Sequence, residues 1–306
     1  MNPVLTAPSG RSWARLREAI GTQAFLIPIG AVFVVLFVVP LAESVYYSFT
    51  DYSGFSQVTR FIGLHNYATI FSDTELQTGL VFTLFYAVAT TAVVTVLAIP
   101  LAVILNRKFV GRGFVRAAFF FPAVPSMAVL GLVWTFILSP LSSGAINSVI
   151  GDVFHVGPVP WLSNSLLAQI SVITVGVWAQ TGWHGVLYLA YLQSIPGEYY
   201  EAATIDGASR RQQFFRITLP LLAPAMTVST FLLLVGGLRI YDLPFTLTSG
   251  GPGYSTYTIT QVIIQQGISQ ANYGLGSALG VLFLLGVSVV VAIQLTITRR
   301  LERRIR

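Results

Sequence analysis

Residues 196–220 read PGEYYEAATIDGASRRQQFFRITLP. This is the most charged stretch of the chain, with Glu198, Glu201, Asp206, Arg210, Arg211 and Arg216 between two long apolar runs. A dense polar stretch bracketed by runs of membrane-spanning length belongs in water at a membrane face. Its internal order predicts a short helix, a turn at Gly207 and a proline-marked entry into the next span. Tyr199, Ala202, Ala203 and Ile205 are positioned to make an apolar, small-residue face that a partner can approach closely. Glu201 is placed to pair with a partner's arginine, and Asp206 to accept hydrogen bonds near the turn.

Working outward, composition agrees with a lipid environment. The 306 residues are 54% hydrophobic and 9% charged, against roughly 25% charged in a soluble domain. Such a chain cannot cover a water-facing surface. There is no cysteine, so no disulfide framework. The net charge of +6 sits in short clusters at span ends, a pattern of membrane topology rather than of nucleic-acid binding. Arg11, Arg15 and Arg17 precede an apolar run like a secretory signal, but the run is too long and no cleavage site follows.

The expected architecture is all-α, with six spans at about 23–47, 76–105, 116–139, 166–193, 217–240 and 273–297. Residues 1–22 are a basic N-terminal segment, in which 12–20 suit a short interfacial helix with Trp13 and Leu16 against lipid. Residues 75–298 are the transmembrane core, and 299–306 a basic tail. Pro28 and Pro40 are candidate kinks in the first span, Pro122 and Pro125 lie within the third, and Trp161 suits an interface before the fourth. Of the 17 Lys and Arg residues, all but Arg60 and Arg239 fall on the side of the termini and the 196–220 loop. The positive-inside rule places that side in the cytoplasm.

Several chemistries are excluded. There is no G-x-x-x-x-G-K-[ST], and the only lysine is Lys108, so the chain has no phosphate-binding loop of its own. No His or carboxylate cluster has metal-ligand spacing. No chain of intramembrane carboxylates offers a proton relay, since Glu43 and Asp242 read as solvated residues near outer span ends.

The spacing of the opening stretch is specific: Glu201-Ala202-Ala203, three residues, Gly207, nine residues, then Ile217-Thr218-Leu219-Pro220. It resembles the EAA loop of binding-protein-dependent ABC importer permeases at every fixed position. The flanks 192–196 and 221–224 are similar to the carbohydrate branch typified by the maltose permease subunits. The segment Thr248-Ser249-Gly250-Gly251-Pro252, and Tyr273-Gly274 leading to Ser277-Ala278, resemble the F-type subunit of that branch. The chain lacks that maltose subunit's extra N-terminal spans and large external domain.

The resemblance implies a type I ABC importer permease fold in the inner or plasma membrane of a bacterial or archaeal cell. It implies a heterodimer with a G-type permease, two copies of a cytoplasmic ABC ATPase that hold ATP and Mg, and an external solute-binding protein. No cofactor would be bound by this chain. Tyr199, Glu201, Ala202, Ala203, Asp206, Gly207, Ile217, Leu219 and Pro220 would form the ATPase-docking element. The solute would be a di- or oligosaccharide, or a glycerol-phosphate-like molecule.

By the same resemblance Gly176, Gln180, Trp183, Gly237 and Arg239 fall near substrate contacts. Gln180 and Trp183 fit sugar chemistry or plain helix packing, and both readings stand open. Trp178 reads as packing and His184 as a satisfied intramembrane polar residue. Arg239 attracts a phosphate-bearing substrate, or else snorkels to the interface or pairs with Asp242. Gly276-x-x-x-Gly280 is a candidate packing face. The competing readings are a stand-alone secondary transporter or channel, and a membrane-embedded enzyme. The latter lacks an acidic pair or metal set at a span end.

Overall fold

The computed structural model describes residues 26–56 and 58–305, with side chains as far as Thr298. The expected segment 1–22, its interfacial helix over 12–20, and the side chains of the basic tail lie outside the described residues.

Among the described residues the chain is helical, with no strand and one isolated bridge, Thr50 to Phe61. In order the helices are α1 (Leu26–Tyr47), α2 (His65–Ser72), α3 (Thr74–Asn106), α4 (Arg112–Ala123), α5 (Met127–Ile137), α6 (Ala145–Phe154) and α7 (Ser165–Leu192). They continue with α8 (Glu198–Ile205), α9 (Arg210–Leu221), α10 (Ala223–Leu238), α11 (Asp242–Thr248), α12 (Ile259–Val262 continued as a π-helix over Ile263–Ser269) and α13 (Tyr273–Ile305). Helix α13 carries the backbone of the expected tail as a continuation of the last span.

Among the described residues three helices are long and apolar enough to cross a membrane: α1, α3 and the Tyr273–Thr298 part of α13. Helix α7 has the length, 28 residues, or roughly 42 Å at 1.5 Å per residue. Its Gln169, Gln180 and His184 dilute its apolar character.

Two expected spans are not continuous. The region read as one span over 116–139 is α4 and α5, bent by 96°. Pro122 opens the 3-10 turn Phe121–Ala123, and Pro125 precedes Ser126, whose hydroxyl caps α5 at the Val129 amide. Prolines remove N–H donors and push the preceding residue out of the α region, so an uninterrupted helix cannot form there. The region read as 217–240 begins earlier, at Arg210, and bends by 65° between α9 and α10, where Pro220 and Pro224 fall.

Proline also explains two π-helical turns. Val34–Val38 precedes Pro40, and the Val39 amide donates to the Val34 carbonyl. Phe214–Thr218 precedes Pro220, and the Leu219 amide donates to the Phe214 carbonyl. A proline clashes with the carbonyl four residues back. The widened turn takes up that clash within a continuous helix.

Three buried clusters hold the bundle. One joins α3, α7 and α10 through Val94, Ala98, Leu105, Tyr188, Leu189 and Ala225. One joins α3, α7 and α11 through Phe82, Tyr86, Val172, Val175 and Leu243. One ties α2, α12 and α13 to the start of α3 through Ile70, Leu76, Ile259 and Leu279. Lipid is as apolar as leucine, so these helices are held by close packing at small residues and by a few polar contacts. A Cβ on Gly182 would strike the Phe119 carbonyl, which lets α4 cross α7 backbone to backbone. His184 Nδ1 lies 2.8 Å from Ser229 Oγ, both buried, linking α7 to α10. The expected Gly276/Gly280 face is corrected: a Cβ on Gly276 would meet Gly267 of α12, whereas one on Gly280 meets nothing within 4 Å.

Outside the helices, Asn147 pins the 139–161 segment. Its amide nitrogen donates to the Ser139 and Val159 carbonyls at 3.0 Å, and its oxygen accepts from Trp161 Nε1 at 2.9 Å. Trp161 thus belongs to this buried joint as well as to the neighbourhood of the α7 start.

Candidate functional site: a helical hairpin and a cavity

The 196–220 stretch folds as a helical hairpin whose turn is fully hydrogen-bonded. Helix α8 ends in a Schellman motif: the Ala208 amide donates to the Ala203 carbonyl at 2.9 Å, and the Gly207 amide to the Thr204 carbonyl at 3.1 Å. Gly207 sits at φ +76°, the left-handed region open to glycine at no steric cost. Helix α9 starts on a capping box. Ser209 Oγ accepts from the Gln212 amide at 3.3 Å, and Gln212 Oε1 accepts from the Ser209 amide at 2.7 Å.

Side chains close the hairpin. Gln213 Nε2 donates to Thr204 Oγ1 at 3.0 Å and to the Ala208 carbonyl at 3.3 Å. Tyr200 Oη and Thr218 Oγ1 are 3.1 Å apart. Pinned to the bundle side by Tyr200 and Thr204, α8 leaves its other face open. Tyr199 is 54% exposed and Ile205 86% exposed, with Glu201, Ala202, Asp206 and Gly207 exposed beside them.

The expected docking residues therefore divide. Ala203 is half-buried toward the hairpin. Ile217, Leu219 and Pro220 are half-buried as well, and Leu219 packs on the α3/α7/α10 core. These four hold the element to the bundle, while Tyr199, Glu201, Ala202 and Asp206 face outward.

The second site is a cavity of about 240 Å³ where α10 stops and α11 begins. Gly236-Gly237 weakens α10 at that point, and Arg239 caps it. Tyr241 stacks on Phe245 at 5.1 Å, and Asp242 opens α11. Arg239 at a helix C-terminus and Asp242 at a helix N-terminus each sit where the backbone dipole favours their charge. They share the cavity wall, and both are exposed. The expected pairing of the two is not formed: among the described residues no ion pair involves either.

Gln180 of α7 and Gly237 line this cavity, as does Arg239, so three of the five expected pathway residues come together. Gly176 does not. It is buried one turn away, where a Cβ would collide with Tyr86 Oη, and it serves the α3–α7 crossing. Trp183 lies off the cavity, exposed, with its ring edge-on to His184 at 4.7 Å. Trp178 packs edge-on against Trp134 at 5.3 Å.

Sequence reasoning missed Tyr86, Thr90 and Tyr241, which also line the wall. The signal was present in Tyr86 and Thr90, polar residues four apart and so on one helical face of an otherwise apolar span.

Residues 94–306 match the family described as the binding-protein-dependent transport system inner membrane component. A probable permease protein of a starch degradation products transport system from Thermoanaerobacterium thermosulfurigenes is 35% identical, with 94% of this chain and 96% of that protein covered. A trehalose/maltose transport system permease protein from Thermococcus litoralis is 33% identical, over 88% of this chain and 90% of that protein. Among solved structures, a chain of a bacterial ABC transporter that imports alginate superposes with a TM-score of 0.80 at 23% identity. It covers 95% of this chain and 99% of that one, a likeness of fold. With a family match over more than two thirds of its length, the chain belongs to the inner membrane components of binding-protein-dependent transport systems.

Proposed function

We propose that this chain is one half of the translocation pathway of an ATP-driven importer for a sugar, a di- or oligosaccharide delivered by an external binding protein. The observation that carries the reading is the hairpin. A short helix closed at its turn and pinned through Tyr200 and Thr204, with tyrosine, alanine and isoleucine left open to water, is suited to fill a groove on another protein.

In this reading six spans cross the membrane: α1, α3, the bent pair α4/α5, α7, the bent pair α9/α10, and α13. Both termini and the hairpin lie in the cytoplasm. The hairpin docks on a separate ATPase subunit that binds ATP and Mg, two such subunits serving this chain and a second, G-type permease. Tyr199, Glu201, Ala202 and Asp206 make the contact. Gly207 sets the reversal, and Ala203, Ile217, Leu219 and Pro220 pass the motion to the spans.

The relatives from Thermoanaerobacterium thermosulfurigenes and Thermococcus litoralis are named for starch degradation products and for trehalose/maltose, which supports a sugar here. The cavity supports it too. Gln180, Thr90 and Tyr86 offer hydroxyl and amide partners, and Tyr241 offers a ring face. Asp242 beside Arg239 opposes a simple anion, so a neutral polyhydroxylated solute suits the wall better than a glycerol-phosphate-like one.

The test is co-purification with the ATPase and substrate-stimulated ATP hydrolysis in the reconstituted complex. Glu201→Lys and Gly207→Pro are expected to abolish uptake while the chain stays in the membrane. Uptake that survives both removes the docking assignment.

A further inference from the structure

At the other connection on the hairpin side, we infer that α4 and α7 form a binding groove for an anionic phospholipid of the inner leaflet; this rests on the orientation proposed above. The groove, about 320 Å³, is lined by Gly113, Arg116, Ala117 and Phe120 of α4 and by Val186 of α7. The four α4 positions follow the i, i+3, i+4, i+7 spacing of one helical face. A Cβ on Gly113 would meet nothing within 4 Å, so the groove is open at that end.

Depth and charge point to a lipid. Val186 lies six residues before the end of α7 at Leu192, or roughly 9 Å along the axis. The apolar floor therefore sits at the depth of acyl chains. Toward the cytoplasmic end come Arg112, Lys108 and Arg107, with Arg116 at the groove itself. No Asp or Glu occurs between Glu75 and Asp152, and among the described residues none of these four cations makes an ion pair or a side-chain hydrogen bond. Val110 and Phe114 between them are 102% and 79% exposed, apolar groups that belong in the bilayer.

Topology alone asks only for positive charge on this side. It does not ask for an apolar groove with a cation at its mouth. That arrangement matches a phospholipid: phosphate on the guanidinium, acyl chain on Ala117, Phe120 and Val186.

The experiment is native mass spectrometry of the full complex released from nanodiscs of dioleoyl-phosphatidylglycerol and dioleoyl-phosphatidylcholine in equal parts. Phosphatidylglycerol is expected to be retained over phosphatidylcholine. Arg116→Gln, which removes the cation, is expected to lower that retention about fivefold, the factor one cation carries at an anionic surface, and Val186→Trp, which fills the groove, is expected to lower it as well. Arg303→Gln, a charge lost elsewhere, leaves retention unchanged, and millimolar inorganic phosphate does not displace the lipid.

Unchanged retention in Arg116→Gln and Val186→Trp overturns the proposal, and so does equal retention of phosphatidylcholine or displacement by phosphate. A Val186→Trp complex that sheds its second permease subunit identifies the groove as a protein interface instead. Because the chain has no cysteine, Ser194→Cys can be labelled from one side at a time. Labelling from outside overturns the orientation, and with it the choice of leaflet, independently of lipid retention.

Discussion

The Ala208 amide donates to the Ala203 carbonyl at 2.9 Å across Gly207, whose φ of +76° makes that bond possible. A side chain at position 207 costs about 1–2 kcal/mol in the left-handed region. A Cβ there would touch no other residue within 4 Å, so the cost lies in the local backbone and not in a clash with a neighbour. Gly207→Ala is expected to weaken ATPase co-purification partly. Gly207→Pro, which also loses the amide bonded to Thr204, is expected to abolish it. Pull-down of the ATPase from membranes checks the order; equal behaviour of the two variants contradicts it.

The second prediction concerns glycines at helix crossings. Gly276→Ala forces a carbon against Gly267 and is expected to lower thermal stability in detergent by about 1–3 kcal/mol, the usual cost of overpacking. Gly280→Ala meets open space and should be neutral or slightly stabilising. Melting curves of the two purified variants decide. A larger loss at Gly280 would restore the reading of a joint packing face.

His184 and Ser229 supply the third. In bilayers such interhelical hydrogen bonds average about 0.6 kcal/mol by double-mutant cycle, whereas an orphaned buried partner costs about 1–3 kcal/mol. Each of His184→Leu and Ser229→Ala should therefore destabilise by more than the coupling between them, and the double variant should be less damaged than the sum. Strict additivity would show that the 2.8 Å contact carries no energy.

The cavity gives the fourth. Gln180→Ala and Asp242→Asn should each reduce uptake at limiting substrate about 2- to 10-fold, the range of one lost hydrogen bond. Trp183→Ala should stay near wild type, because Trp183 is not among the residues that line the wall. Transport in proteoliposomes with the cognate binding protein measures all three. A Trp183→Ala defect larger than that of Gln180→Ala would move the pathway off this cavity and toward Trp183.

What the sequence revealed and concealed follows from which solvent faces each residue. The turn was legible because its signal is local, Gly207 for the left-handed residue; the Ser209/Gln212 capping box that opens α9 went unread, and Pro220 was read as the entry to a span that in fact begins at Arg210. The orientation proposed above rests on how Arg and Lys sort by side. The helix faces were not legible. Lipid and protein interior are equally apolar, so no periodicity told that Gly176 turns under Tyr86 while Gln180, one turn on, reaches the cavity. Nor did Pro122 and Pro125 announce a 96° corner, since prolines are common in spans that stay straight enough to cross.

The π-turn at Phe214–Thr218 adds one residue to the path between hairpin and span. At 3.6 residues per turn, one residue is a rotation of roughly 100°. Positions on either side of it are therefore indexed in two different angular frames. Deleting one residue between 214 and 216 would leave the apolar runs intact while shortening the nine-residue spacing from Gly207 to Ile217, and it would swing Tyr199 and Ile205 about a quarter-turn away from whatever surface receives them. Aim, and not composition, is the property this segment carries.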